Sequence, residues 1–130
     1  MKLLIKSLDK NLRSFSHAWR GLLFVFRTEN NIWYHTVAAI LVVLCGWFFQ
    51  VSITEWMVIG LLCGLVFMAE LFNTAIEKLL DFVSPQHHHQ VGLIKDIAAG
   101  AVLIISLTAL LIGLLIFIPK ILFHFNLYHV

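Results

Sequence analysis

Two stretches of this chain, 31–50 and 97–119, carry no formal charge, and a third, 53–72, carries only Glu55 and Glu70. Each reaches the roughly 20 apolar residues that cross a bilayer at about 1.5 Å rise per residue. Hydrocarbon offers no partner to a free N–H or C=O, so runs of this length must be helical. The rest of the composition agrees. Hydrophobic residues make up 61% of the 130 and charged ones 12%, about half the charged share of a soluble domain. The chain has room for one compact unit and none for a separate soluble domain. The expected fold is an all-α integral membrane protein whose three transmembrane helices lie at 31–50, 53–80 and 96–118. Trp33, Tyr34, Trp47 and Trp56 stand near span ends, where amphipathic rings favour the headgroup layer. A polar break at Val51-Ser52 separates the first two spans, and Pro119 is expected to end the third helix.

The nine Lys and Arg set the orientation. Lys2, Lys6, Lys10, Arg13, Arg20 and Arg27 precede the first span, Lys78 and Lys95 flank the 78–96 loop, and only Lys120 falls on the other side. By the positive-inside rule the N-terminus and the 78–96 loop are cytoplasmic. The early charges Lys6, Asp9 and Lys10 interrupt any signal-peptide core. Over 1–28 the six basic residues fall within about a 100° arc of a helical wheel, opposite Leu4, Leu8, Leu12, Phe15, Trp19, Leu22 and Phe26. That two-sided pattern predicts an amphipathic helix lying in the inner membrane face, its basic side toward anionic headgroups. Cys45 and Cys63 lie in apolar runs and read as small packing residues.

The chemistry concentrates at the end of the second span. With Glu70 at the origin of the wheel, Asn73, Thr74, Glu77 and Asp81 all fall within about 60° of it, and Lys78 alone among the polar residues leaves the stripe. A carboxylate at mid-membrane costs about 2.5–3.5 kcal/mol. Ser, Thr or Asn would join helices at lower cost, so the acids point to function. Glu77 lies two turns, about 10 Å, nearer water than Glu70, too far for both to grip one ion. This spacing suggests a lipid-facing role for Glu70 and a solvent-facing one for Glu77. Glu29, before the first span, and Lys95-Asp96, opening the third, lie at about the depth of Glu77. Carboxylates and a lysine in that layer suit a magnesium–polyphosphate.

The run Glu70-Leu-Phe-Asn-Thr-Ala-Ile-Glu77-Lys-Leu-Leu-Asp81 closely resembles the E-x-x-N-[ST]-A-I-E-x-x-x-D signature of the prokaryotic diacylglycerol kinase family, which includes undecaprenol kinases. Lys95-Asp96-Ile-Ala-Ala-Gly-Ala-Val-Leu103 is similar to its second motif, K-D-x-A-[AS]-[GA]-A-V-L. Phe15, Ala18, Gly21, Thr28-Glu29-Asn30-Asn31, His35 and His88 also match the family pattern. The resemblance implies a homotrimeric helical bundle in the bacterial cytoplasmic membrane, with active sites shared between subunits. It further implies transfer of the γ-phosphoryl of magnesium ATP to a membrane lipid alcohol, diacylglycerol or undecaprenol. Carried over, Glu70 is the general base at the lipid hydroxyl and Asn73 positions the reacting groups. Glu29 and Glu77 ligate Mg2+ and, with Asp81, Lys95 and Asp96, make up the nucleotide site. No nucleic acid is expected among the partners.

Lys78 departs from the small or apolar residue usual at its position, and Gly92-Leu-Ile94 replaces a more Ala-rich lead into Lys95. His87-His88-His89 is richer in histidine than the family norm; consecutive residues rarely face one ion, so it reads as loop with one useful His. The chain has neither a G-x-x-x-x-G-K-[ST] loop nor a Gly-rich kinase loop. A nucleotide site here is therefore assembled from helix faces. The competing reading is a small oligomeric cation carrier or channel subunit that uses the Glu70–Glu77 stripe as a relay.

Overall fold

The computed structural model describes residues 2–86 and 88–126, without the side chains of 2–10 and 126. Four helices follow in order: α1 Lys2–Thr28, α2 Asn31–Phe48, α3 Ile53–Val83 and α4 His89–Asn126. The last three are long and apolar enough to cross a membrane. At about 1.5 Å per residue α3 measures about 47 Å and α4 about 57 Å, both longer than a hydrocarbon core of about 30 Å. Both therefore project beyond it, and the acidic end of α3 is the kind of segment such an overhang carries. α3 is the hub, packing along α4 and α2, while the end of α1 meets both α2 and α3.

Each junction has a local cause. Between α1 and α2 only Glu29 and Asn30 leave the helix. The indole of Trp33 reaches back across the break, its Nε1 donating to the Phe26 carbonyl at 3.0 Å and its ring meeting Phe26 edge-on at 5.8 Å. This satisfies a carbonyl that the helix end leaves free and fixes the corner on which Glu29 sits. At the start of α3, Ser52 and Glu55 form a reciprocal capping box. The Glu55 N–H donates to Ser52 Oγ at 3.3 Å and the Ser52 N–H to Glu55 Oε2 at 2.6 Å.

The α2–α3 turn is tight. Val51 N–H donates to the Gly46 carbonyl at 3.0 Å and Gln50 N–H to the Trp47 carbonyl at 3.3 Å, the paired bonds of a Schellman ending. That ending places Gln50 at φ 49, in the left-handed region that suits glycine. Gln50→Gly should therefore raise stability by about 0.5–1 kcal/mol and Gln50→Val lower it by about 1 kcal/mol; the midpoint of detergent-induced unfolding measures both. Gly46 is buried under the Trp56 indole, whose Cη2 lies 2.8 Å from where a Cβ would stand. The close α2–α3 approach at this end depends on that missing side chain.

Pro119 does not end the third transmembrane helix: α4 continues through it to Asn126. Proline costs the helix one N–H donor, a loss that membrane helices tolerate when neighbouring elements hold the segment. Here Lys120 pairs with Glu55 of α3 at 3.0 Å. The His124 ring lies 5.6 Å from Phe48 and 5.9 Å from Phe49, and Phe49 lies 6.3 Å from Phe117. These contacts dock the last turns of α4 onto the α2–α3 turn.

The core is thin. Ile32, Val51, Ile59, Leu62, Val66 and Ala98 are buried, whereas Leu103, Ile104, Leu110, Leu111 and Leu115 of α4 are exposed. Cys45 lies exposed on α2 and Cys63 is half-buried; both thiols are free. So much uncovered aliphatic surface is expected of helices in lipid and is foreign to a water-soluble monomer.

Candidate active site

The residues buried on α3 below the site are apolar until the helix reaches its polar row, and there Glu70, Asn73 and Thr74 are only 4%, 7% and 4% exposed. They are the buried polar residues of the described chain. The helical repeat places them on the face that α3 turns toward its neighbours, so they leave hydrocarbon by packing inward.

Glu70 Oε1 lies 2.9 Å from Nε2 of His35 on α2. One turn on, the Asn73 amide donates to Glu77 Oε1 at 3.0 Å, while Asn73 Oδ1 is buried without a partner. Further along, Lys95 Nζ of α4 donates to Asp81 Oδ1 at 2.5 Å, joining the end of α3 to the start of α4. Glu29 is held from the side. Lys78 Nζ lies 3.0 Å from its Oε1, and the Thr28 hydroxyl lies 3.3 Å from the same oxygen.

The residues expected from sequence thus fall into linked sets. Glu70, Asn73 and Glu77 form one row, Asp81 and Lys95 one pair, and Glu29 is tied to Lys78, the residue next to Glu77. Asp96 is exposed and takes part in none of these pairs; it lines a recess of about 320 Å³ with His88, His89, Gly92 and Leu93 at the start of α4. His87 lies outside the described residues.

Two participants escaped the helical wheel. Lys78 leaves the acidic stripe of its own helix, yet that direction carries it to Glu29 on the α1–α2 corner. His35 meets Glu70 across 35 positions of chain. No local pattern marks such a contact; only a wheel of α2 set against α3 would have suggested it.

Among the described residues no three His, Cys, Asp or Glu side chains cluster closely enough to hold a metal by themselves. The row and the corner beside it nevertheless offer hard oxygen donors in Glu77, the orphaned Asn73 Oδ1 and Glu29. Magnesium is usually held by one or two carboxylates, with phosphate oxygens and water filling its other positions. The side chains present fit that kind of ion on a nucleotide better than a closed metal centre.

Beneath the row lies an apolar cavity of about 310 Å³ between α2, α3 and α4. His35, Phe67 and Ser106 line one end, Val42, Ile59 and Ile116 the other, and Ala38, Ala39, Ala109 and Gly113 widen it by their small size. Its long axis follows the helices, spanning two to three turns or about 10–15 Å. At that end His35 links the cavity to Glu70, which it meets at 2.9 Å.

Residues 16–117 match the prokaryotic diacylglycerol kinase family. The undecaprenol kinase of Bacillus subtilis (strain 168) is 46% identical over 87% of this chain and 92% of its own length. The diacylglycerol kinase of Synechocystis is 34% identical over 85% of this chain and 64% of its own length. That of Escherichia coli K12 is 30% identical over 77% and 82%. These likenesses lend the cation-carrier reading no support. With its span-length helices and its row of acids at one end of α3, the chain belongs to the prokaryotic diacylglycerol kinase family and is a membrane lipid kinase.

Proposed function

We propose that this kinase transfers the γ-phosphoryl of magnesium ATP to the hydroxyl of a membrane lipid alcohol, with Glu70 as general base. The observation that carries the reading is the position of Glu70: a buried carboxylate 2.9 Å from His35, which lines the end of the apolar cavity, and one turn before the Asn73–Glu77 pair. In the step, the hydroxyl oxygen attacks the γ-phosphorus, the bond to the bridging oxygen of ADP breaks, and the hydroxyl proton passes to Glu70. Asn73 positions the reacting groups. Glu29 and Glu77 hold Mg2+, which offsets phosphate charge when bound. Asp81, Lys95 and Asp96 complete the nucleotide site, the Lys95 ammonium offsetting phosphate charge; its pairing with Asp81 at the α3–α4 junction supports the grouping.

The acceptor we favour is undecaprenol over diacylglycerol. The most alike of the relatives described above is named an undecaprenol kinase. Apart from His35, Cys63 and Ser106 the cavity wall is hydrocarbon or ring. A polyprenol has no polar atom but its hydroxyl, whereas the ester oxygens of a diacylglycerol would enter such a site short of partners. Labelled γ-phosphate with each lipid offered in mixed micelles tests this: labelled polyprenyl phosphate as the main product supports it, and labelled phosphatidate as the main product overturns it. Gly113 lines the cavity and has open space at its Cβ position. Gly113→Phe should fill that space and raise the KM for lipid about tenfold, as a disturbed apolar subsite does, leaving the KM for ATP unchanged.

The working unit is a homotrimer with shared active sites in the bacterial cytoplasmic membrane, N-terminus and 78–96 loop inside. The uncovered apolar length of α4 and the exposed Asp96 support an assembly in which neighbours complete the site. Leu12, Phe15 and Trp19 of α1 are exposed, which suits an amphipathic helix resting in the inner membrane face. Light scattering in detergent, corrected for bound detergent, should give three chains per particle; a monodisperse, active monomer would contradict the shared site.

A further inference from the structure

Glu70 needs more than the right depth to act as a base; its carboxylate must keep one orientation on a side chain with three rotatable bonds. Among the described residues its hydrogen-bond partner is His35, whose Nε2 lies 2.9 Å from Glu70 Oε1. The contact joins α2 to α3, and the carboxylate side of it is 6% exposed. His35 also lines the end of the apolar cavity nearest the acids. The imidazole therefore touches both the proposed base and the space proposed for the acceptor chain.

We propose that His35 is the positioning residue of this active site: its ring fixes Oε1 of Glu70 so that the other oxygen is left to meet the lipid hydroxyl at the mouth of the cavity. With its proton on Nε2 the imidazole donates to the carboxylate and the bond is charge-assisted. One oxygen is occupied and the second keeps its lone pairs free. Small errors in the placement of a reacting group can cost about 10²-fold in rate, so a single firm anchor on the base has a large kinetic effect without contact with ATP. The inference rests on Glu70 being the base.

The test is a set of variants measured with saturating lipid and magnesium ATP, each checked by gel filtration and detergent-induced unfolding. His35→Ala should lower kcat about 10–100-fold and leave the KM for ATP within twofold. His35→Gln carries an N–H donor at similar reach and should recover most of the loss. In a Glu70→Gln background, His35→Ala should cost less than about twofold more, because groups acting as one unit are not additive. A merely structural histidine would reduce activity by a similar factor in both backgrounds and would not be rescued by Gln. Wild-type kcat in His35→Ala, no recovery in a folded His35→Gln, or a full multiplicative loss in the double variant overturns the inference. If His35→Ala does not fold, His35→Gln and the double variant built from it decide. Retained turnover in Glu70→Gln would instead overturn the base assignment on which the proposal stands.

Discussion

Glu70→Gln should lower turnover by about 10²–10⁴-fold, the range that a well-placed general base contributes, and do so in a protein that still folds. The amide has nearly the shape of the carboxylate, and its oxygen still accepts from His35, so the α2–α3 contact of 2.9 Å keeps its geometry. The substitution keeps the volume of the side chain and its acceptor for His35, so stability should hold within about 1 kcal/mol. The KM for ATP should stay close to wild type, because Glu70 lies two turns from Glu77 along α3. Rate measurements in mixed micelles, paired with unfolding midpoints, separate the two effects. A folded Glu70→Gln enzyme with more than a tenth of wild-type turnover would exclude Glu70 as the base.

The second large effect belongs to Glu29 and Glu77. Each Ala substitution should raise the magnesium concentration needed for half-maximal rate at least tenfold and raise the KM for ATP with it. Loss of one of two carboxylates leaves a hard ion with fewer oxygen donors. The two variants should differ in their surroundings. Glu29→Ala releases Lys78 from its 3.0 Å pair, a partly exposed contact of small energetic weight. Glu77→Ala leaves the buried Asn73 amide without its acceptor at 3.0 Å, an unsatisfied donor that costs about 1–3 kcal/mol. Glu77→Ala should therefore lose stability as well as metal affinity, and Glu29→Ala metal affinity alone. Titrations of rate against magnesium at fixed ATP, with unfolding midpoints, check both. An unchanged magnesium requirement in both variants would exclude them as ligands.

Much of the fold was legible because hydrocarbon is a severe filter. Uncharged runs of span length can only be helices, and the polar residues of α3 had to share a face if they were to leave lipid together; Glu70, Asn73 and Thr74 do so. What escaped was what depends on pairs of helices or on tolerance. Pro119 breaks soluble helices, but here the Lys120–Glu55 pair and the His124 ring against Phe48 and Phe49 hold α4 beyond it. The sequence marks the break at Val51-Ser52, but the Ser52–Glu55 capping box that starts α3 there is a finding of the structure. The left-handed Gln50 had no such mark, because turn geometry rather than residue type demanded it. Glu29–Lys78 and Glu70–His35 are contacts between elements. A wheel drawn for one helix sees half of each.

The most direct test of the central claim is transfer itself. Purified protein in mixed micelles is given magnesium ATP labelled at the γ-phosphate, with and without a lipid alcohol, and label is followed into the lipid phase. A lipid kinase that works as described produces labelled lipid phosphate and ADP in equal amounts, only when both the alcohol and magnesium are present. ATP consumed to inorganic phosphate regardless of lipid, or no lipid-borne label from a folded oligomer with either alcohol, would contradict the account.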